Sequence, residues 1–459
     1  MTESAHLKYQ DSGRGVQKEI MSQYYRDLEL AHERKKKVAY LFISGNIVEL
    51  LRPFGFEVAY PEVNALQCGI KHAAGDLILK AEDYGYSSDV CGYVKNDIGM
   101  LLNGMKSPLG TLPKADLLVC NFSGCNTYIK WWEALAQMTG AELFMLDVPY
   151  TRGAPTQSDL KYIISQLEEL VRVCERVTGK KWDEAAFRES LALSRAAEER
   201  WVEIMQMAKL KPSPLDAFFE AVFFMAPINV LRGTRECAEY YNVVLREMEE
   251  RVEHGISPAG EEKVRIVMEG PPPWPHFRSF WELFKPWGVT CVAATYPKVG
   301  GLWDATDDAF HDPQRPMESL AKYAINCYTN WNWEKRRELI SRYIRDYQAD
   351  AMVIHSVKSC RSFSIGQADL RDFLIHERSI PSLLIESDLA DPRYFSKAQL
   401  KNRIDAFFES LLHRKMTHAP AAPAAVAADG GEDIDGDDGG RGQPTQRQAS
   451  SSSGGGERE

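Results

Sequence analysis

The pattern that most restricts what this chain can become is a recurring pair: a short, continuous apolar run that ends in a turn, then residues at helical spacing. Val38-Ala-Tyr-Leu-Phe-Ile43 closes on Ser44-Gly45-Asn46 and is followed by a helical 47–51 and the turn Pro53-Phe-Gly55. Asp116-Leu-Leu-Val-Cys120 precedes a helical 128–138, and Glu142-Leu-Phe-Met-Leu146 ends in a loop rich in proline and glycine. The same grammar returns in Val264-Arg-Ile-Val-Met268, in 289–294, in Asp350-Ala-Met-Val-Ile354 and in Ser382-Leu-Leu-Ile-Glu386. Strands that are apolar without alternation bury both faces, so the fold class is α/β with parallel sheets covered by helices.

The two blocks of this grammar are separated by a long helical stretch with apolar residues at 160, 163, 164, 167, 170 and 171 and breaks near Gly179, Pro212, Pro214 and Pro227. A chain of 459 residues predicts two or three domains at roughly 150 residues each. We therefore expect an N-terminal helical segment over 1–37, a first α/β domain over 38–156 and a helical connector over 157–260. A second α/β domain follows over 261–415, closed by a helix over 397–412. In the first segment Ile20, Tyr24, Leu28 and Ala31 share a helix face that ends in Arg34-Lys-Lys-Lys37, a run that solvates a helix end. The remainder, 416–459, is built of Ala-Pro, Asp-Gly and Ser-Gly repeats and is expected to be disordered, because it has too little apolar area to offset its chain entropy.

No stretch approaches the roughly 20 apolar residues of a membrane-spanning helix, and the first residues lack a leader pattern, so a cytoplasmic location is expected. The net charge of −10 argues against nucleic acid as a partner, and no membrane partner is expected. The nine cysteines form no disulfide-like framework and contain no CxxC pair, so a metal site would have to be assembled from positions far apart.

In an open parallel sheet, ligands bind beyond the carboxyl ends of the strands. Cys120 and Cys125 follow one such strand and Cys360 another, one per domain, so a cleft between the domains would bring thiols together. Cys91 sits in a loop before Gly92, where the missing side chain would leave room for an inorganic cluster. Cys68, Cys174, Cys237, Cys291 and Cys327 lie in apolar patterns and read as small buried hydrophobes. Trp131-Trp132 reads as helix packing, and His355 as a polar strand end. The stiff loop Glu269-Gly-Pro-Pro-Pro-Trp-Pro-His276 is the kind that shapes a pocket. Three soft thiolates suit iron better than a lone zinc, and a four-iron cluster held by three cysteines leaves one iron open. These residues alone point to a redox or lyase subunit.

Four segments in order carry a further likeness: Asp89-Val-Cys91-Gly-Tyr-Val-Lys, Cys125-Asn-Thr-Tyr-Ile-Lys-Trp-Trp-Glu133, His355-Ser-Val-Lys-Ser-Cys360-Arg-Ser-Phe-Ser-Ile-Gly-Gln367 and Glu386-Ser-Asp-Leu-Ala-Asp-Pro-Arg393. Together they resemble the benzoyl-CoA reductase and 2-hydroxyacyl-CoA dehydratase family, most closely its reductase branch. The resemblance implies two flavodoxin-like domains and a [4Fe-4S] cluster on Cys91, Cys125 and Cys360, with Cys120 as the alternative to Cys125. It also implies a homologous second cluster subunit, ATPase subunits that deliver electrons, and ferredoxin as their donor. The chain itself has no GxxxxGK[ST] phosphate cradle, which fits ATP hydrolysis on other polypeptides. The activity implied is one-electron reduction of benzoyl-CoA to a cyclic diene thioester. The alternatives are dehydration of a 2-hydroxyacyl-CoA, or electron relay to a partner that holds the substrate. Within that frame Tyr93, Trp274 and Phe363, with Phe277 and Trp281, are candidates to line the substrate pocket, and His276 and His355 are candidate proton donors.

Overall fold

Two four-stranded parallel sheets organise the computed structural model, which describes residues 8–9, 11–150, 152–300 and 311–417. The first holds β1 (Val38–Tyr40) and β2 (Glu57–Ala59). A two-residue antiparallel hairpin, β3 (Lys106–Ser107) with β4 (Gly110–Thr111), then precedes its other strands, β5 (Leu117–Phe122) and β6 (Glu142–Asp147). Its strand order is β2-β1-β5-β6. The second sheet holds β7 (Val264–Glu269), β8 (Val289–Ala294), β9 (Ala351–Val357) and β10 (Ser382–Ser387) in the order β10-β9-β7-β8. Every residue of β7 and β8 is buried, as the unbroken apolar runs require, whereas the edge strand β6 alternates in exposure. The α/β class and the parallel sheets are as read from the sequence.

Several boundaries differ, each for a local reason. The first apolar run pairs only as far as Tyr40; Leu41 to Ile43 stay buried as a loop leading to the site. The N-terminal helix is Ser12–Glu29 and stops before the basic run. That run ties down the start of β1 instead: Lys37 reaches Asp116 at 2.8 Å, and Lys36 pairs with Glu57. The last helix runs Lys397–Thr417, past its expected end at 412, and the rest of the proposed tail lies outside the described residues.

The long helical stretch comprises Gln157–Thr178, Glu184–Met207 and Arg235–Glu253, with two short helices before the last. Each long helix starts on a side-chain cap, Thr156, Asp183 or Thr234, and the first stops at Gly179 in the left-handed region. Gln157–Thr178 lies against both β6 and the helix Pro316–Ile325, so this stretch touches both halves. No helix among the described residues is long and apolar enough to cross a membrane.

A buried ionic group fastens these layers. Arg232 donates to Glu49 at 2.9 Å, pairs with Glu198 and lies 4.3 Å from the centroid of the Tyr323 ring. His311 stands 3.2 Å from the same Glu49 oxygen, and all four of the Arg232, Glu49, Glu198 and His311 side chains are fully buried. Burial alone would raise the Glu49 carboxyl, but Arg232 and His311 outweigh it and hold the group well below the usual carboxylate range. Removing one member leaves the others desolvated and unpaired. Arg232→Ala should therefore lower stability by about 3–5 kcal/mol, read as a shift in urea midpoint; a loss under about 1 kcal/mol would show that the group is dispensable.

Candidate functional site

In each sheet the strands lie in the chain order second, first, third, fourth, so successive connections leave in opposite directions beside the β1/β5 and β7/β9 pairs. Crevices open where connections diverge in this way. One cavity of about 860 Å³, its mouth included, is lined by residues just past all four of those strand ends: Ile43, Cys125, Pro271 and Cys360. Cys125 and Cys360 each lie three residues beyond their strand, β5 and β9 respectively.

All three thiols expected from the sequence line this cavity: Cys91, Cys125 and Cys360. Each is the residue immediately before a helical turn, in Gly92–Leu102, Asn126–Thr139 and Arg361–Phe363. Backbone N–H groups of those turns lie against the sulfurs: Tyr93 and Val94 at Cys91, Thr127 and Tyr128 at Cys125, Ser362 and Phe363 at Cys360, with Tyr128 and Phe363 shared with the Cys125 and Cys360 carbonyls. Donors so placed favour thiolate, yet burial outweighs them. Burial, then the facing Cys360 and Cys125, push the Cys91 thiol far up; burial, then Cys125, push Cys360 up to about 12. Three thiolates facing one another in a low-dielectric cavity need a compensating positive centre, which is the condition an iron cluster meets.

Among the described residues no three His, Cys, Asp or Glu side chains converge closely enough for a single ion. A lone zinc holds its sulfurs at about 2.3 Å, whereas a cubane of four irons is wider and takes thiolates spread around a cavity. Three soft sulfur donors lining one cavity are of the type that iron clusters take. Cys120 stands inside β5 opposite Met145, fully buried and off the cavity wall. Cys68, Cys174, Cys237, Cys291 and Cys327 are buried as expected, and Cys327 is held by Ser44 at 2.6 Å.

The two halves meet at this cavity through polar contacts. The Ser44 hydroxyl bonds Thr329 at 2.7 Å, and Thr329 donates to the Ser123 carbonyl at 2.8 Å. Gly124 has φ +84°, and a methyl group there would collide with the Thr329 carbonyl. Gly92 serves the same end. Its N–H donates to Ser359 at 3.0 Å, and a Cβ would press on Ala390 and Asp388 at 3.0 Å. The missing side chain at Gly92 thus makes room for the opposite half of the molecule. Asp388 in turn accepts from Ser359 N at 2.9 Å, bracing the loop that carries Cys360. Lys95, also fully buried, donates to Glu82 at 2.8 Å and lies 3.8 Å from Asp391.

Tyr93 and Phe363 line the cavity. Trp274 stands behind it, donating to the Tyr93 hydroxyl at 2.5 Å, while Phe277 and Trp281 pack around Phe219. Trp131 both packs beneath Phe42 and reaches the cavity wall. Neither imidazole lines the cavity. His355 is buried, its Nδ1 against the Pro271 carbonyl and its Nε2 against the Ser387 hydroxyl, and burial pushes its pKa down to about 4. His276 stacks on Phe395.

The sequence reading missed Glu62, Tyr128, Tyr296, Met225 and Asn229, all on the wall. Glu62 accepts from Ile43 N at 2.8 Å and from the Tyr128 hydroxyl at 3.3 Å, and burial pushes its carboxyl up to about 7. It lies in the helix Pro61–Ile70, which no apolar run announces. Met225 and Asn229 show that the helical stretch supplies part of the wall and is more than a connection.

A chain whose two sheets present thiols from their switch points to one shared cavity defines a class, and comparison with known proteins identifies it. The chain belongs to the family of the 2-hydroxyglutaryl-CoA dehydratase D-component, whose model matches residues 47–411. It is 41% identical to one of the subunits of benzoyl-CoA reductase from Thauera aromatica over 418 residues, 89% of this chain and 96% of that protein. It is 31% identical to the alpha chain of (R)-phenyllactyl-CoA dehydratase from Clostridium sporogenes, over 84% of this chain and 92% of that one. The alpha chain of (R)-2-hydroxyglutaryl-CoA dehydratase from Acidaminococcus fermentans matches at 26% identity over 86% and 97%.

The polar joint predicts its own sensitivity. Gly124→Ala combines a left-handed backbone with a collision against backbone of the other half, so it should cost at least about 2 kcal/mol of stability. An unchanged denaturation midpoint would show that the two loops separate freely.

Proposed function

We propose that this chain is the iron-sulfur catalytic subunit of an ATP-dependent benzoyl-CoA reductase, converting the aromatic ring of benzoyl-CoA to a cyclic diene thioester. The observation that carries this reading is the set of three thiols from both sheets on one cavity, in a chain 41% identical to a benzoyl-CoA reductase subunit. Cys91, Cys125 and Cys360 would hold a [4Fe-4S] cluster, which when bound supplies single electrons at the cavity wall. The ring takes up two electrons and two protons overall.

This chain's own residues do the rest. Tyr93, Tyr128, Trp131 and Phe363 offer a flat, water-poor seat to an aromatic ring, and excluding water matters because electrons reducing enough to enter such a ring would otherwise be lost to solvent protons. Glu62 is the proton source. Of the three candidate donors it alone lines the cavity, and a carboxyl near 7 exchanges protons at neutral pH. His276 and His355 would act only by positioning the loops at 271–276 and 387. Electrons come from ferredoxin through ATPase subunits on other polypeptides, and a homologous second cluster subunit completes the pair. The protein works in the cytoplasm as two lobes, 38–156 and 261–415, bridged by 157–260.

A second reading has its own support. The matching family is described by a 2-hydroxyglutaryl-CoA dehydratase, and dehydratase subunits match over most of their length. The reconstituted complex, given reductant and ATP, decides. Benzoyl-CoA reduced with ATP consumed in step with electrons supports the reductase; dehydration of a 2-hydroxyacyl-CoA with catalytic ATP and an untouched ring assigns the dehydratase.

Two variants test the site. Anaerobically purified Cys360→Ala should lose iron and sulfide while Cys120→Ala keeps both; full iron in Cys360→Ala would reject the ligand set. Glu62→Gln should lower kcat by about 10²–10⁴. In the parent, the rate should fall as pH rises through about 7, where the donor carboxyl is deprotonated, and that limb should vanish in Glu62→Gln.

A further inference from the structure

The thiol cavity continues outward along the surface. Cys125, Thr127, Thr329 and Ser362 border both the cavity and a second, more open groove, and Trp331 borders both that groove and a third. The helix Trp333–Asp346 runs beneath: Trp333 and Arg336 face the second groove, and residues from Glu334 to Arg345 face the third. From Trp333 to Arg345 that helix rises about 18 Å.

Charge changes along this run. The cavity wall carries the Glu62 carboxyl and no cation, and the second groove carries Arg336 and Arg361 with no carboxylate. The third carries five cations, Lys335, Arg337, Arg342, Arg345 and Arg378, against Glu334 and Glu338. Two of these guanidinium groups gather on one ring: Arg337 lies 4.1 Å and Arg378 4.9 Å from the Phe373 centroid. Arg337 Nε and the nearby Ser341 hydroxyl are buried with no hydrogen-bond partner. Guanidinium forks match phosphate oxygens in geometry and charge, and the exposed plane of Arg378, held on the buried Phe373 ring, offers a face on which a purine base can stack.

We propose that this arginine groove holds the nucleotide end, base and phosphates, of the CoA thioester whose acyl group occupies the thiol cavity, its arm passing Trp331 and Trp333. The inference rests on the reading that the chain acts on CoA thioesters, and adds where the far end of such a substrate is anchored. Phosphates on Arg337, Arg342 and Arg378 make binding strongly dependent on ionic strength, whereas the acyl end, among apolar walls, is not.

The test is equilibrium dialysis of the full-length chain and its Arg337→Ala/Arg378→Ala variant against CoA, pantetheine and ADP. CoA should bind the parent at least tenfold more tightly than pantetheine does, ADP should displace it, and the variant should lose that margin while keeping the parent's melting midpoint. Arg378, which is exposed, is also replaced alone, so that a folding defect at Arg337 cannot hide the result. Equal CoA affinity in parent and variants overturns the proposal, as does CoA binding no tighter than pantetheine. ADP that binds without displacing CoA overturns it too, and marks a separate nucleotide site. The reaction assigned to the complex is judged independently, by its turnover of benzoyl-CoA.

Discussion

The hydroxyl of Thr329 is the point on which the site's geometry turns. It bonds Ser44, which follows β1, and the Ser123 carbonyl, which follows β5, while Gly124 lies against its own backbone. Thr329 itself belongs to the half that contains β9. The contact is buried, so each of its polar groups would carry a desolvation cost if parted, and a buried network of this kind is rigid only while it is complete. Together with the contacts of Gly92 with Ser359 and of Trp274 with Tyr93, this joint brings the strand ends that carry Cys125 and Cys360 onto one cavity. With it, two crevices of the kind found in any doubly wound sheet become one chamber.

Around that joint the molecule places opposing electrostatic demands. Each cysteine sits where a helical turn begins and turns backbone N–H groups toward it, an arrangement that favours negative sulfur. Burial and mutual repulsion work against it, and for all three thiols burial is the larger effect. Such a chamber is organised for negative charge it cannot stabilise alone. Glu62 faces the same conflict more mildly, its carboxyl raised to about 7 although Ile43 and Tyr128 both donate to it. The ionic group around Arg232 shows the contrasting solution, in which buried charges are matched directly by partners from three parts of the chain.

How much of this was legible in the sequence depends on how each signal is encoded. Buried parallel strands leave continuous apolar runs, so β5, β7, β8, β9 and β10 were readable, and with them the strand ends that carry Cys125 and Cys360. β2 has three residues and leaves no run, so it was missed, and with it the neighbouring helix that carries Glu62. The wall contributed by Met225 and Asn229 could not be read, because which face of a short helix looks inward is decided by the packing of both halves. At Gly92 the sequence shows the missing side chain, but not its neighbours Asp388 and Ala390, which are far away along the chain. The histidines drew attention for their chemistry; the structure places His355 in the core with both nitrogens engaged.

Cys125 and Cys360 occupy corresponding positions, each three residues past the third strand of its sheet and each opening a helical turn. Each is braced locally, Cys360 through the bond from Ser359 to Asp388 and Cys125 beside the contact of Gly124 with Thr329, so the separation of their sulfurs follows how the two sheets are joined. The pair therefore acts as a caliper: a slight rocking of one sheet against the other appears first as a change in the gap between these atoms. A group that bridged the two sulfurs would in turn hold the two sheets at one angle, because each sulfur stands at the end of a central strand.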